Sequence, residues 1–502
     1  MKNGWPLPLL MSLLLTGLVL LTGCPALGPD YQRPNTGVDL PERFVMDTAA
    51  SDRPYAPEQW WREFDDPALN RVVEAVLAGN PDIEQAAASV LEARALAGQA
   101  RAERFPTLGL EASAARQVQG FVAPLTGETN TVESDVYSLA LPASFELDLW
   151  GRLTRASQAA RADLLAAEAN HRTITHSLVA EAVSQHFRAR SLEARLDLRR
   201  RLTRSYQDNL ELVEARYRRG LATVLDVRQA RRILAQAEAE IPGLEEALGR
   251  ARQNLEVLQG KYPRGAEASP LTQDPFSLPP PIPAGLPADL LNRRPDIQAA
   301  EASLASACAR IGVAKANRFP QISLTGEFGY TSDELDLLLK PESELWKIGA
   351  GLVQPLFDAG RRRAVQRAAE ARYQQQLAKY AKTVLTALAE VEGALLTREQ
   401  ELERRRRLVA YFTEAQATLE TARDRYERGL SSYLNVLDAQ QAAFQAELGL
   451  VETQYTIYTN RVALYRALGG GWDAASARAA ESGREPHDIE QPGDQTGEHN
   501  EP

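Results

Sequence analysis

Residues 408–440 read LVAYFTEAQATLETARDRYERGLSSYLNVLDAQ, and this stretch decides the fold. The regular spacing of its apolar residues is interrupted at residues 425–432. There Gly429 suits the left-handed position that ends a helix, and Ser432 suits the cap of the next helix. The stretch therefore predicts a turn between two helices. Before the turn, apolar residues recur at intervals of four and three, the seven-residue period of a coiled-coil seam: Leu408, Phe412, Ala415, Leu419, Ala422 and Tyr426.

These two helices are part of a much longer hairpin, residues 360–468, which contains no proline. At about 1.5 Å per residue, the arm from Gly360 to Tyr426 spans roughly 100 Å. An ordinary globular domain has no use for such an arm, so we expect an elongated assembly.

The chain contains an internal repeat, and internal repeats outrank other signals when a fold is inferred. NPDI at 80–83 recurs as RPDI at 294–297, RFP at 104–106 recurs at 318–320, and RYRRGL at 216–221 recurs as RYERGL at 425–430. The three landmarks keep their order. Each half therefore predicts helix, strand, strand, long helix, long helix.

Alternating apolar residues distinguish the strands from the helices. Within 321–330, Ile322, Leu324, Phe328 and Tyr330 are expected on one face, opposite Ser323, Thr325 and Glu327. We place the boundaries as follows: signal peptide 1–23, extended segment 24–66, repeat 1 at 67–262 with a strand hairpin at about 107–147 and a helical hairpin at 151–259, proline-rich linker 263–287, repeat 2 at 288–472 with a strand hairpin at about 321–357 and a helical hairpin at 360–468, and a disordered acidic tail 473–502.

The N-terminus has the pattern of a secretory signal. Lys2 precedes a short apolar run, and the run ends in Leu21-Thr22-Gly23-Cys24, which resembles a bacterial lipobox. Cys24 is then expected to become the lipidated N-terminus; an ordinary signal peptide with a chance cysteine is the alternative. Pro25, in place of an aspartate, favours the outer membrane. After this peptide, no segment has about 18 consecutive apolar residues, so a spanning structure must be a barrel.

Composition argues against several function classes. The chain has 57 basic and 67 acidic residues, a formal charge of −10. The tail, with eight acidic residues against two basic ones, holds much of that charge, so nucleic-acid binding is not expected. Two cysteines cannot form a disulfide framework. The five histidines form no metal-ligand pattern, and no phosphate loop or nucleophile elbow occurs, so we expect neither a metal site, nor a cofactor, nor an enzyme.

Two strands per half are too few to form a closed wall. Four strands per chain leave open edges, which cannot face lipid. A cyclic homo-oligomer would close them into a barrel with an apolar outside and a polar lumen. The strands alone leave open a soluble sheet packed on a helix, but the lipobox and the long helices favour a membrane barrel mounted on a helical tube.

Several motifs support a family assignment: the lipobox, GPDY at 28–31, FELDLWGR at 145–152, QPLFDAGR at 354–361, YLNVLDAQ at 433–440 and LGGGW at 468–472. Together they resemble the TolC-like outer-membrane factor family, specifically its lipoprotein branch of NodT/OprM-type efflux exit ducts. The resemblance implies a homotrimer with a twelve-stranded membrane β-barrel, four strands from each chain, continued by a coiled-coil tunnel of twelve long α-helices.

The resemblance also implies a function. The chain is expected to be the outer-membrane channel of a tripartite efflux system, passively conducting drugs or other small molecules in a Gram-negative bacterium. Its expected partners are a periplasmic adaptor (membrane fusion) protein, an inner-membrane resistance-nodulation-division pump and outer-membrane lipid, with N-acyl and diacylglycerol groups on Cys24. One alternative is the exit duct of a type I protein secretion system. Another is a periplasmic coiled-coil adaptor, which the duplicated strand hairpins disfavour.

Candidate functional residues lie at the two helical turns. A tight structural turn is the simplest interpretation of both, and Thr223 with Asp226 also matches a capping box. Asp438 lies just inside the second turn, but the equivalent position of the first repeat is Gln229. The two hairpins are therefore expected to contribute unequally, with the second lining the narrow end of the channel. The resemblance implies adaptor contacts at Gly220, Leu221, Thr223, Gly429, Leu430 and Ser432, and a closed gate formed by Arg425, Tyr426, Leu434 and Asp438.

Overall fold

The computed structural model describes residues 26–35, 41–45, 59–122, 129–265, 282 and 290–470. Cys24, most of the linker 263–287 and the tail 473–502 lie outside these ranges. None of the helices in the described ranges is apolar enough over a sufficient length to cross a membrane.

The two halves contain matching elements. A short 3-10 helix, Trp60–Phe64, precedes the first half, and one helical turn, Leu290–Arg293, precedes the second. The first half contains α1 (Pro67–Gly79), α2 (Pro81–Ala102), β1 (Thr107–Leu108), β2 (Glu111–Val122), β3 (Thr129–Leu147), α3 (Arg152–Arg218) and α4 (Val224–Leu258). The second contains α5 (Pro295–Ala316), β4 (Gln321–Ser332), β5 (Glu344–Val353), α6 (Arg361–Glu427) and α7 (Tyr433–Ala467).

The strands form one antiparallel sheet, in which β3 pairs with β1 and β2 on one side and with β4 on the other, and β4 pairs with β5. β1 and β2 keep the same register on β3, since Leu108 lies opposite Ala143 and Glu111 opposite Ala140. The break between them faces Pro142, whose carbonyl accepts from Gly109 N at 2.9 Å but which has no N–H to return. The first of the four predicted strands is therefore one strand interrupted by a proline in its partner.

The register keeps the two faces of the sheet chemically different. Leu141, Phe328 and Trp346 are cross-strand neighbours on one face, and Glu327 lies opposite Lys347 on the other. This is the alternation that the sequence predicts for 321–330. Trp346 and Ile348, on the apolar face, are 68% and 82% exposed in the single chain. Large exposed apolar side chains in a continuous band suit lipid better than water.

The motif at 145–152 builds the passage from strand to helix. Asp148 accepts hydrogen bonds from Leu153 N at 3.0 Å and Thr154 N at 2.7 Å, which satisfies the first turn of α3. Glu146 pairs with Arg152 at 2.6 Å. In the second half, Asp358 plays the corresponding part by accepting from the backbone N–H groups at the start of α6.

Below the sheet the chain forms four helical columns. α3 and α6 have 67 residues each, which corresponds to roughly 100 Å. α2 and α4 are shorter and lie end to end, as do α5 and α7. In the upper half of the tunnel the order of packed neighbours is α2, α3, α5, α6; in the lower half it is α4, α3, α7, α6.

The repeated NPDI and RPDI motifs hold the stacked helices together. Asn80 caps α2 by accepting from Asp82 N at 2.9 Å, and it donates to the terminal carbonyl of α4, Leu258 O, at 2.8 Å. Its counterpart Arg294 donates to Ala467 O, at the end of α7, at 2.8 Å. At the joint between α4 and α2, the Asn80 side chain thus satisfies both helix ends. At the joint between α7 and α5, the guanidinium of Arg294 takes its place.

A cluster of buried aromatic residues packs the segment before α1 against the long helices. Trp60 stacks on Tyr465 with ring centroids 4.9 Å apart, within a core that also contains Phe64. Asp66 caps α1 by accepting from Ala68 N at 2.8 Å and contacts His186 Nε2 of α3 at 2.8 Å. The carboxylate therefore fixes both the start of α1 and its position on the tunnel.

This contact predicts a pH dependence of stability. Burial alone would raise the pKa of Asp66, but the hydrogen bond and charge of His186 and the N–H groups of Leu69 and Ala68 lower it to about 2. A depressed carboxyl pKa contributes stability above its unfolded value, near 4, and loses it as the pH falls towards 2. Asp66→Asn keeps the capping oxygen and removes the charge, so we expect it to destabilise the protein by about 2 kcal/mol at pH 7.

The measurement is the denaturant midpoint of the purified, detergent-solubilised protein, followed by circular dichroism from pH 7 to pH 2. The difference between Asp66→Asn and the parent protein should shrink below pH 4. Glu74→Gln, which removes a partner from the exposed Arg62–Glu74 pair at 3.3 Å, is the control and should have little effect. A difference that stays constant with pH would contradict the assignment.

Candidate gate and anchoring sites

The two helical turns at the end of the tunnel share one backbone motif. Gly220 and Gly429 have φ of +72° and +74°, the left-handed region that glycine tolerates best. Leu221 N donates to Arg216 O at 2.9 Å, and Leu430 N donates to Arg425 O at 2.8 Å. These are the six-residue bonds of the Schellman motif, so each glycine ends its helix as the sequence predicts.

The caps of the following helices differ. Thr223 and Asp226 form a capping box, with Asp226 N donating to Thr223 Oγ1 at 3.2 Å and Thr223 N donating to Asp226 Oδ2 at 2.8 Å. Ser432 occupies the N-cap position of α7, as the sequence predicts, but its hydroxyl makes no capping hydrogen bond. Repeat 2 has Asn435 where repeat 1 has Asp226, and the Asn435 amide donates to Ser431 Oγ at 2.8 Å, so the reciprocal pair of a capping box is absent there.

The turns present apolar side chains that the single chain does not bury. Leu221 and Leu430, directly after the two glycines, are both 64% exposed, and Leu225 near the first turn is also exposed. The far end of the tunnel therefore carries apolar surface beside polar turn residues.

The structure separates the four gate candidates into two environments. Leu434 is 59% exposed, and Asp438, one turn further along α7, is exposed on the same face. Arg425 is also exposed. Tyr426 is 6% exposed and lies inside the chain's own core, 5.5 Å from the ring of Tyr433. Three of the four residues are thus exposed on the single chain, and the fourth is a packing residue in its core.

Arg216, part of the repeated turn motif at 216–221, connects the turn of the first hairpin with that of the second. Its guanidinium lies 4.7 Å from the centre of the Tyr426 ring, and Nη1 donates to Glu427 O at 3.2 Å. Burial raises the pKa of Tyr426, which keeps the phenol neutral. The equivalent Tyr217 is 48% exposed, so identical Arg-Tyr pairs in the two repeats have different roles.

Above the tips, a buried polar network joins the two helical hairpins of the chain. Gln440 Nε2 donates to Ser205 Oγ at 2.8 Å, and Asn209 Nδ2 donates to Gln440 Oε1 at 2.7 Å. Arg423 also donates to Ser205, at 2.9 Å. Since buried amides need partners, this network fixes the two hairpins against each other in one arrangement. Gln440 belongs to the motif at 433–440, although the sequence alone gave no indication of this contact.

The motif at 28–31 is held against the top of α3 by Arg155, a buried arginine. Its guanidinium donates to Gly28 O at 3.4 Å and pairs with Asp30 at 2.8 Å. A Cβ on Gly28 would lie 2.5 Å from the Cα of Gly312, so no larger residue fits between α3 and α5. Leu27 N donates to Trp150 O at 3.0 Å. The chain shortly after Cys24 is therefore fixed at the base of the sheet.

Comparison with known proteins gives a consistent result. The family described as outer membrane efflux protein matches residues 72–261 and 286–470. The cation efflux system protein CusC of Escherichia coli is 34% identical over 90% of this chain and 96% of its own length. The solvent efflux pump outer membrane protein SrpC of Pseudomonas putida is 36% identical over 92% and 99%. The probable outer membrane lipoprotein SilC of Salmonella typhimurium is 33% identical over 92% and 99%.

Solved structures agree along nearly the whole fold. The outer-membrane channel OprN superimposes with a TM-score of 0.82 at 33% identity, over 89% of this chain and 99% of that one. The open state of the Neisseria gonorrhoeae MtrE outer membrane channel superimposes with a TM-score of 0.77 at 30% identity, over 89% of this chain and 98% of that one. The predicted fold class, a few-stranded sheet contributed to a channel and continued by long helices, is confirmed.

Proposed function

Because the chain belongs to the outer membrane efflux protein family, we propose that it is the exit duct of a tripartite efflux system. As a member of this family it is an outer-membrane channel for efflux and not an enzyme. The observation that carries the proposal is the direct passage from a sheet with one apolar face into helices of 67 residues. A pore through lipid is thereby continued as a tunnel long enough to reach partners across the periplasm.

The sheet supports a trimer. Its edge strands, β2 with β1 on one side and β5 on the other, have unpaired backbone groups that hydrocarbon cannot satisfy. Three copies joined edge to edge form a closed ring of twelve strands and bring together twelve helical columns. We propose this homotrimer as the functional unit.

The tips are the proposed contacts with a periplasmic adaptor, which links the duct to an inner-membrane pump of the resistance-nodulation-division type. The exposed Leu221 and Leu430 would supply apolar contact area, and Gly220, Gly429, Thr223 and Ser432 the shape of the turns. Apolar side chains framed by polar ones are typical of protein interfaces.

The cargo is proposed to be whatever small molecule the pump delivers. One relative is named for cation efflux and another for solvent efflux, although each is about one-third identical to this chain. Related ducts therefore serve chemically different cargo. A type I protein secretion duct is the second candidate, but these relatives are named for efflux systems, which favours the first.

The test of this function is genetic. Deleting this gene should raise susceptibility to the same compounds as deleting the gene of its pump, and the double deletion should add nothing, since the two act in series. Additive phenotypes would place the duct with a different pump. Loss of secretion of a specific protein, with unchanged susceptibility, would favour the type I alternative.

We also propose that the second hairpin forms the closed gate. In a trimer, three copies of Leu434 and of Asp438 would face the axis, where a leucine ring resists wetting and a carboxylate ring favours cations. In this proposal the exposed Arg425 would pair with a neighbouring subunit, and the buried Tyr426 would support the gate from inside its own subunit.

Removing the gate side chains should widen the constriction. We expect Leu434→Ala and Asp438→Ala each to raise single-channel conductance in planar bilayers several-fold, and Asp438→Ala also to reduce cation selectivity. Leu225→Ala and Gln229→Ala, at the equivalent positions of the first hairpin, are matched controls and should conduct like the parent. Unchanged conductance in both gate variants would refute the gate assignment.

Finally, we propose that Cys24 carries N-acyl and diacylglycerol groups, which would bury their chains in the outer membrane. Residues 27 and 28, which follow this cysteine closely in sequence, are held at the base of the sheet, and this position supports the proposal because the base of the sheet adjoins the proposed membrane-spanning part. Acyl chains contribute about 0.8 kcal/mol per buried CH₂. Intact mass spectrometry should show the lipid mass on the mature protein and its loss in Cys24→Ser, with Cys308→Ser unchanged. An unmodified parent protein would disprove lipidation.

A further inference from the structure

In the lower tunnel, two of the four columns have a packed neighbour on one side only. Among the described residues, α4 packs on α3, and α6 packs on α7, while α3 and α7 pack on each other in the middle. In the proposed trimer, on which this inference rests, α6 of one copy must therefore lie beside α4 of the next. The side chains on these outer sides decide how the copies recognise each other.

The outer side of α6 is basic at mid-height. The run Arg404–Arg407 includes Arg406 and Arg407, which are 75% and 83% exposed as side chains. Both pair with the same carboxylate, Glu403, at 2.5 and 2.8 Å. One carboxylate between two guanidinium groups leaves excess positive charge. Arg406 precedes the seam residue Leu408 by two positions, which places it on the side of the helix away from α7.

The outer side of α4 carries an exposed carboxylate, Glu246, whereas Glu240 and Glu245 on the same helix pair with Arg199 and Arg200 of α3. Residues 233–249 contain Glu238, Glu240, Glu245 and Glu246 and no lysine or arginine. Glu246 lies midway between Leu244 and Leu248 of the seam with α3, so it points away from α3. Its pair is Arg250 on its own helix, with side chains 63% and 74% exposed.

The two charged segments lie at the same height. Leu408 of α6 contacts Gly449 of α7, since a Cβ on that glycine would lie 3.2 Å from the leucine side chain. Close by on α7, Glu447 pairs with Arg201 of α3 at 2.7 Å. The neighbouring Arg200 pairs with Glu245 of α4 at 2.6 Å. This chain of contacts places Arg406 level with the acidic segment, within about one helical turn.

We propose that adjacent copies of this chain meet at mid-tunnel through a belt of ion pairs, with Arg406 of α6 facing Glu246 of the next copy's α4. Opposite charges at one height fix the vertical register between subunits, and like charges meet if the helices slide by a few turns. The belt lies far from the barrel, so it aligns the helical tube independently of the strand edges.

Disulfide trapping tests the contact directly, because a disulfide needs Cα atoms about 4.4–6.8 Å apart. In a Cys308→Ser background, the pair Arg406→Cys with Glu246→Cys should give covalently linked dimers and trimers after mild oxidation. The matched control replaces Glu246→Cys with Gln253→Cys, one heptad further along α4, and should link at least about tenfold less. Efficient linking of the control and not of the test pair would overturn the proposed register.

A charge exchange supplies an independent test. Arg406→Glu should speed dissociation of the trimer in SDS about fivefold, because the change acts at three interfaces of weak, exposed pairs. Glu246→Arg combined with it should restore the rate. A trimer by native mass spectrometry that neither cross-links nor responds to the exchange would refute the belt and leave the proposed function intact. A monomeric parent protein in native mass spectrometry would instead refute the trimeric duct.

Discussion

The structure depends on the fact that hydrocarbon offers no hydrogen bonds to backbone groups. A sheet of four strands has two edges, and one apolar face cannot protect them. The register from β1 to β5 leaves Trp346 and Ile348 exposed on one face, and the proposed ring of three copies would pair the open edges while turning these side chains toward lipid. A very long helix must also start where each strand leaves the sheet. Asp148 and Asp358 meet this need by accepting hydrogen bonds from the first backbone N–H groups of α3 and α6.

The sequence predicted this architecture well because its signals are periodic and doubled. The seven-residue apolar spacing gives α6, alternation gives β4, and the repeated RYxRGL motif gives both turns, with φ of Gly220 and Gly429 as expected. It could not show that Asn80 and Arg294 join stacked helices, because those contacts connect residues 178 and 173 positions apart. Long-range hydrogen bonds leave no trace in a local period.

The candidate site shows the same division. Exposure of Leu434 and Asp438 on one face follows from their four-residue spacing. The burial of Tyr426 and exposure of Tyr217 do not, since the same two-residue motif stands at both positions and only the neighbouring hairpin distinguishes them. Duplication preserves the local turn, whereas the packing around each copy diverges. Ser432 is a further case, since it takes the cap position without the capping box that Thr223 forms with Asp226.

The end-to-end joints have a mechanical consequence. α3 and α6 are covalently continuous rods, whereas the columns α2–α4 and α5–α7 are each divided at a joint held by Asn80 or Arg294. Such a joint resists compression but yields to tension or torque at the strength of a few hydrogen bonds. A twist applied at the periplasmic end therefore reaches the sheet along an unbroken backbone only through α3 and α6, and the divided columns transmit it through their side packing on these two helices.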